Sequence, residues 1–72
     1  MEDVRAILAR NLRLARARVG VSQEELASRA EVDRTYVSGI ERGVRNPTVT
    51  IVARLAAELQ TTASALLAQD DR

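Results

Sequence analysis

The stretch that decides the fold is residues 22–43, which read SQEELASRAEVDRTYVSGIERG. Ser22 is a favourable N-cap, and Glu25 three residues later completes the capping-box pattern that marks a helix start. We therefore predict a helix over residues 23–30, which would begin directly after Ser22.

A second helix start follows after a gap of three residues. Asp33 is a favourable N-cap, and it predicts a helix over residues 34–42 with Val37 and Ile40 pointing inward. Gly43 should end this helix, because glycine takes a left-handed conformation at low cost. Two short helices joined by a tight turn form a helix-turn-helix pattern.

The chain on the N-terminal side of this pattern predicts one longer helix over residues 4–19, with Gly20 as its stop. Its apolar residues recur at the spacing of one helical face: Leu8, Leu12, Ala15 and Val19. We expect the arginines on its other faces to be solvated, namely Arg10, Arg13 and Arg18.

The chain on the C-terminal side predicts two more helices. Thr48 would cap one over residues 49–59, and Thr62 would cap a short one over residues 63–68. The inner face of the longer helix should comprise Val49, Val52, Ala56 and Leu59. The prediction is an all-α, compact five-helix bundle forming a single domain over residues 1–72.

The composition argues against several classes of function. The 72 residues contain no cysteine and no histidine, which leaves out disulfides, Cys/His metal sites and the commonest catalytic nucleophile and base. We expect no enzyme activity, no metal and no cofactor. The chain also has no apolar run of membrane-spanning length and no signal-peptide pattern. We therefore expect a cytoplasmic protein without a membrane partner, associated with the nucleoid when bound to DNA.

The net charge of +1 conceals an uneven distribution. Between Arg5 and Arg54 the chain has ten arginines and five acidic residues. A GC-rich genome would by itself explain the use of arginine in place of lysine. Arginine nevertheless forms bidentate contacts with phosphate and guanine that lysine does not, so this region suits a nucleic-acid partner.

The second helix of the pair can enter the major groove only if most of its outward side chains are short. Thr35, Ser38 and Gly39 meet that condition. Arg34, near the N-terminal tip, can donate to guanine O6 and N7, and such a contact contributes about 1–3 kcal/mol of discrimination. We predict base readout by Arg34, Thr35 and Ser38.

The flanks of this surface offer contacts to the DNA backbone. The N-terminus of the first helix of the pair presents backbone N–H groups and an amide suited to phosphate, and three polar residues follow the second helix. Tyr36 packs beside the core, contacts a phosphate, or does both. The predicted backbone contacts are Ser22, Gln23, Tyr36, Arg42, Arg45 and Asn46.

Residues 8–67 resemble the Cro/phage-repressor (XRE) family of helix-turn-helix regulators. The matching stretches are GVSQEELA at 20–27, SGIERG at 38–43 and RNP at 45–47. Within that family, residues 33–42 resemble the recognition segment of restriction–modification controller proteins, which are small dimeric regulators without a second domain. The resemblance implies a lambda-repressor-like DNA-binding domain and a sequence-specific regulator of transcription.

The resemblance also implies roles for single residues. It implies that Gln23 contacts phosphate and that Arg16 pairs with Glu41. Glu41 shares a helix face with Val37 and Ile40, so a carboxylate there needs a cation and has a structural role, not a catalytic one. Two positions depart from the family pattern, since glycine commonly stands where this chain has Glu31 and Gln60. A non-glycine residue held left-handed costs about 1–2 kcal/mol.

A homodimer is the expected assembly. A 72-residue domain has a marginal core, so burial of apolar surface between two copies is favourable. Ile51 and Leu67 remain after the core faces are assigned, either as isolated exposed apolar residues or as a dimer interface. Two recognition helices related by a two-fold axis would contact half-sites about 34 Å apart on a pseudo-palindromic operator of double-stranded DNA.

The sequence also suggests a contact with RNA polymerase, and the fold allows an alternative function. Glu24 matches an acidic patch through which regulators of this family touch RNA polymerase, while its alternative role is to favour the positive end of the helix dipole. The alternative to a regulator is an antitoxin or another protein-interaction module that uses the same fold to hold a partner protein.

Overall fold

All five helices in the described part of the chain begin at a side-chain cap, as the sequence predicts for four of them. In each case the side chain accepts a hydrogen bond of 2.8–3.3 Å from a backbone N–H two or three residues later. A cap of this kind contributes about 1 kcal/mol to helix stability. The cap residues are Asp3, Ser22, Asp33, Thr48 and Thr62.

A computed structural model describes residues 3–69, so both ends of the expected domain lie outside the described residues. The helices begin at the predicted residues and end at the predicted residue or one or two before it. They are α1 (Val4–Val19), α2 (Gln23–Ala30), α3 (Arg34–Glu41), α4 (Val49–Glu58) and α5 (Ala63–Leu66). Residues 3–69 contain no β-strand, and the all-α prediction is confirmed. No helix in this range is long and apolar enough to cross a membrane.

The core draws on all five helices. Helix α1 packs against α3 and α5, while α4 packs against α2 and α5, and α2 packs against α3. Val37 and Ile40 point inward as predicted, and truncation of such fully buried side chains to alanine costs about 2–5 kcal/mol. The largest fully buried side chains are Leu12, Leu26, Val37, Ile40, Leu55 and Leu59.

The prediction that Val49 belongs to the core is wrong. Val49 is 71% exposed, and Leu55 is fully buried in α4 together with Val52 and Ala56. Val49 belongs to the first turn of α4, three residues before Val52, where no other helix covers it. It borders an open cavity of about 210 Å³.

The turn between α2 and α3 contains a residue in the left-handed conformation, as expected at the position where the family commonly has glycine. Glu31 ends α2 with φ 60° and ψ 44°, in the left-handed region. Gln60 after α4 has φ 59°. Both residues therefore carry the backbone strain that glycine would avoid.

Candidate nucleic-acid interface

Helix α3 exposes one side and buries the other. Arg34 and Thr35 are exposed at its N-terminal end, Ser38 is half-buried one turn later, and Val37 and Ile40 are in the core. The residues predicted to read bases therefore lie on one short helix whose inner side is anchored.

The N-terminal tip of α3 is built around the Asp33 carboxylate. Asp33 Oδ1 accepts hydrogen bonds from the Thr35 hydroxyl at 2.5 Å and from the Thr35 backbone N–H at 2.8 Å. These two bonds lower the pKa of Asp33. Because Thr35 donates its hydroxyl proton to the cap, its hydroxyl oxygen can only accept a hydrogen bond from another partner.

A polar side chain further along α3 also has an intramolecular partner. Arg42 Nε donates to Ser38 Oγ at 3.4 Å, so the two residues predicted to contact base and backbone lie beside each other. The long distance makes this a weak hydrogen bond that another polar group can replace.

The carboxylate of Glu41 connects α3 with α1 and α2, and its side chain is only 3% exposed. Arg16 donates to it through Nε to Oε2 at 2.7 Å and through Nη2 to Oε1 at 2.9 Å. Gln23 Nε2 also donates to Oε1 at 2.9 Å. The arginine–carboxylate fork is the strong bidentate type of charge-assisted hydrogen bond.

The protonation of this cluster follows from its contacts. Burial raises the pKa of Glu41, but hydrogen bonds from Arg16 and Gln23 outweigh it, so the pKa is lowered overall. The hydrogen bond to Glu41 raises the pKa of Arg16. The pair is therefore ionised at neutral pH, and the charge of Glu41 is compensated inside the domain.

Two residues of this cluster have a hydrogen-bond partner that the sequence-based expectation did not include. Arg13, expected to be solvated, donates through Nη1 to the backbone oxygen of Glu41 at 2.6 Å. Its spacing of three residues from Arg16 on the same helix was the available signal. Gln23, expected at a phosphate, uses one amide N–H for Glu41 and carries a second N–H on the same nitrogen.

The loop after α3 folds back onto the helix. The Arg45 guanidinium lies 5.7 Å from the centroid of the Tyr36 ring, and Gly39 is buried beneath the Arg45 side chain. The place of Gly39 on the helix had suggested that it faces outward, and the structure shows instead that it is buried. A glycine inside a helix was the sequence signal for this close approach.

The remaining predicted residues lie around this surface or away from it. Ser22, Glu24 and Asn46 are exposed. Ile51 and Leu67 are partly buried and pack against the core, so neither is an isolated exposed residue. Leu67 lines the 210 Å³ cavity with Val4 and Val49, and Ile51 is not among the residues that line it.

Comparison with known proteins places this arrangement in context. Residues 12–66 match the model of the HTH_3 helix-turn-helix family. The chain is 47% identical over 66 residues to a hypothetical transcription factor of Neisseria meningitidis, covering 92% of this chain and 62% of that protein. The chain thus spans less than two thirds of the length of that relative.

Two controller proteins are also similar. The control protein C.SmaI of Serratia marcescens is 40% identical over 65 residues, which cover 90% of this chain and 77% of that protein. The crystal structure of the restriction–modification controller protein C.AhdI from Aeromonas hydrophila superposes with a TM-score of 0.82 at 37% identity, covering 86% of this chain and 94% of that one.

Proposed function

Because the chain belongs to the HTH_3 helix-turn-helix family, we propose that it is a transcriptional regulator that binds a specific double-stranded DNA sequence through α3. The observation that carries the proposal is the division of α3 into two sides. Val37 and Ile40 anchor it in the core, while Arg34 and Thr35 project into solvent at its tip. A helix presented in this way fits the major groove.

Each exposed side chain has a chemical role in this docking. Arg34 donates a bidentate pair to a guanine. Thr35, with its proton directed to Asp33, accepts from a base amino group or packs its methyl against thymine. Ser38 exchanges its weak bond with Arg42 for a base edge.

Contacts to the phosphates orient the helix in the groove. Ser22 and Gln23 lie at the N-terminus of α2, where backbone N–H groups and the helix dipole favour an anion. Arg42, Arg45 and Asn46 follow α3 and contact the opposite backbone. The Glu41 cluster holds α1, α2 and α3 together, so base and phosphate contacts keep a constant separation.

We infer that the protein acts as a homodimer and that it catalyses no reaction. Two copies joined through α4 and α5 would place two α3 helices on a pseudo-palindromic operator. The similarity to C.SmaI and C.AhdI supports a controller role in a restriction–modification system. Glu24, exposed in the first turn of α2, is the proposed contact with RNA polymerase in a protein that acts in the cytoplasm, on the nucleoid.

The test begins with selection of bound duplexes from a random pool. Arg34→Ala should weaken binding to the selected operator by about 1–3 kcal/mol and relax the preference at one guanine, since a bidentate base contact is lost. Arg54→Ala is the matched control, because Arg54 pairs with Glu31 at the end of α2 opposite to Ser22. Equal losses on operator and random DNA would contradict base readout by Arg34.

The selected operator also decides the role of Glu24. A Glu24→Gln variant should bind this DNA normally and lose transcriptional stimulation in a reconstituted assay with RNA polymerase. Unchanged stimulation would leave Glu24 with its role at the helix dipole alone.

A further inference from the structure

Gly39 is the one glycine inside a helix in the described part of the chain, and it has no room for a side chain. A Cβ built there would lie 2.4 Å from Cγ of Arg45, 3.2 Å from Nε and 3.4 Å from Cδ. The aliphatic part of Arg45 therefore lies directly on the backbone of α3.

The loop after α3 is folded so that it returns Arg45 to the helix. The backbone N–H groups of Val44 and Arg45 both donate to the carbonyl oxygen of Gly39, at 3.0 and 3.3 Å. Two hydrogen bonds to one acceptor hold the loop against the last turn of α3, and the side chain of Arg45 continues from that point.

The far end of Arg45 has a defined position as well. Its guanidinium lies 5.7 Å from the centroid of the Tyr36 ring, within the range of a cation–π contact. Tyr36 precedes Gly39 by three residues, about one helical turn. Arg45 therefore runs back along α3 toward its N-terminal half, where Arg34 and Thr35 are exposed.

This packing bears on binding because an ordered side chain loses less conformational entropy when it meets a ligand. A long, solvated arginine samples many rotamers, whereas Arg45 is held at three successive places: its backbone N–H, its aliphatic chain and its guanidinium. The guanidinium lies over the ring at 5.7 Å, and this cation–π contact does not use its N–H donors.

We propose that Gly39 is a positioning residue: by lacking a Cβ, it lets Arg45 lie along α3 against Tyr36 in the free protein, ordered for one contact with a DNA phosphate. The phosphate contact rests on the proposed function. The packing of Arg45 does not depend on it, so the two can be tested separately.

The first measurement uses the protein without DNA. Tyr36 is the only aromatic residue and the chain has no histidine, so its ring protons are the only aromatic side-chain signals in an NMR spectrum. The wild-type protein should show nuclear Overhauser contacts from this ring to the Arg45 side chain, together with upfield shifts of the Arg45 δ-protons. Gly39→Ala should abolish both, because the new Cβ displaces Arg45.

The second measurement is DNA affinity as a function of salt. The logarithm of the association constant falls linearly with the logarithm of the salt concentration, and loss of one phosphate contact makes this slope less steep by about 0.9. The same loss corresponds to about a fivefold weaker affinity near 0.15 M salt. Gly39→Ala should show both changes, on operator and on random duplex alike, because a phosphate contact carries no sequence information. A purely structural role for Gly39 would leave the salt slope unchanged.

Arg45→Ala is the reference variant, because it removes the side chain that Gly39→Ala should displace. It should weaken binding by the same factor, and the double variant Gly39→Ala/Arg45→Ala should bind no more weakly than Arg45→Ala. The displaced atoms belong to a surface side chain that can rotate away, so Gly39→Ala should fold, and its thermal melt checks this.

Three results would overturn the proposal. They are a wild-type protein without the Arg45–Tyr36 contact, a Gly39→Ala variant that loses the contact but keeps wild-type affinity and salt slope, and additive losses in the double variant. A wild-type protein that binds no duplex would instead overturn the proposed function, and with it the phosphate, while the NMR measurement would still decide whether Gly39 positions Arg45.

Discussion

Glu41 occupies a position on α3 where the neighbouring inward residues, Val37 and Ile40, are apolar and buried. It is tolerated because Arg16 and Gln23 supply three hydrogen bonds to its two carboxylate oxygens. Loss of one partner from such a buried pair leaves the other charge uncompensated, at a cost of about 3–5 kcal/mol.

The stability of the protein should therefore depend on pH through Glu41. Its folded-state pKa is lowered from the ordinary value of 4.5, so its contribution is complete above that value and is lost as the pH falls through the folded pKa. Glu41→Gln should lower the free energy of unfolding by about 3 kcal/mol at pH 7, at the lower end of the range because Arg16 is 23% exposed. Urea denaturation from pH 7 to pH 3 should show this difference shrinking below about pH 4.5.

A surface carboxylate provides the control for this experiment. Glu25 pairs with Arg29 at 2.5 Å, with both side chains nearly half exposed, and such pairs contribute little. Glu25→Gln should change the free energy of unfolding by less than about 0.5 kcal/mol across the same range. Parallel stability curves for wild type and Glu41→Gln would show that the Glu41 charge is not part of the folding energetics.

The turn between α2 and α3 sets the geometry of the two helices that form the proposed DNA-binding surface. Its left-handed residue is Glu31, whose side chain is 84% exposed and only 3.7 Å from Arg54 at its nearest ion-pair atoms. An exposed pair at that distance contributes little, so the side chain does not offset the strain of the backbone. Replacement of Glu31 by a residue that tolerates the left-handed conformation should therefore raise the free energy of unfolding.

Glu31→Gly should raise the free energy of unfolding by about 0.5–1 kcal/mol. Relief of the left-handed strain, about 1–2 kcal/mol, is partly offset by the greater freedom of glycine in the unfolded chain. The control is Gly20→Ala, at φ 85° with no atom near the new Cβ, which should lower stability by about 1 kcal/mol through the backbone alone. Thermal and urea unfolding measure both, and a Glu31→Gly variant less stable than wild type would contradict a strained turn.

The molecule as a whole leaves an apolar surface uncovered at one end. Val4 is 47% exposed and Val49 is 71% exposed, and both line the 210 Å³ cavity with Leu67. Ile51 and Leu67, the residues first expected in a dimer interface, also pack against the core. An aspartate at Ile51 or Leu67 would disturb folding as well as assembly. A substitution at the exposed Val49 therefore tests dimerisation more directly.

Val49→Asp should give a folded monomer with greatly weakened operator binding, because one of two half-site contacts is lost. Leu67→Asp should shift the oligomeric state in the same direction and also lower thermal stability. Leu14→Asp is the control, since Leu14 is 47% exposed on α1 and does not line this cavity. Analytical ultracentrifugation at micromolar concentration reports the state of each, and a wild-type monomer that binds one half-site tightly would contradict the dimer while leaving the proposed role of α3 intact.

The sequence by itself determined the helices and the chemistry at the tip of α3. The caps at Ser22, Asp33, Thr48 and Thr62 were all predictable, because a capping hydrogen bond joins atoms two or three residues apart. The inward positions of Val37 and Ile40 follow from helical periodicity in the same local way. The pairing of Arg16 with Glu41 could be expected only from the resemblance to known regulators.

Only the tertiary structure decided which surfaces are covered. Periodicity places Val49 on the same side of α4 as Val52, but whether another helix lies over that turn depends on the packing of α1 and α5. In the same way, the local signals at Arg13 and Gly39 did not identify their partners, which are the carbonyl of Glu41, 28 residues from Arg13, and the side chain of Arg45. Helix starts are set by contacts within one turn, whereas burial and side-chain partners are set by segments distant in sequence, whose approach depends on the packing of the whole core.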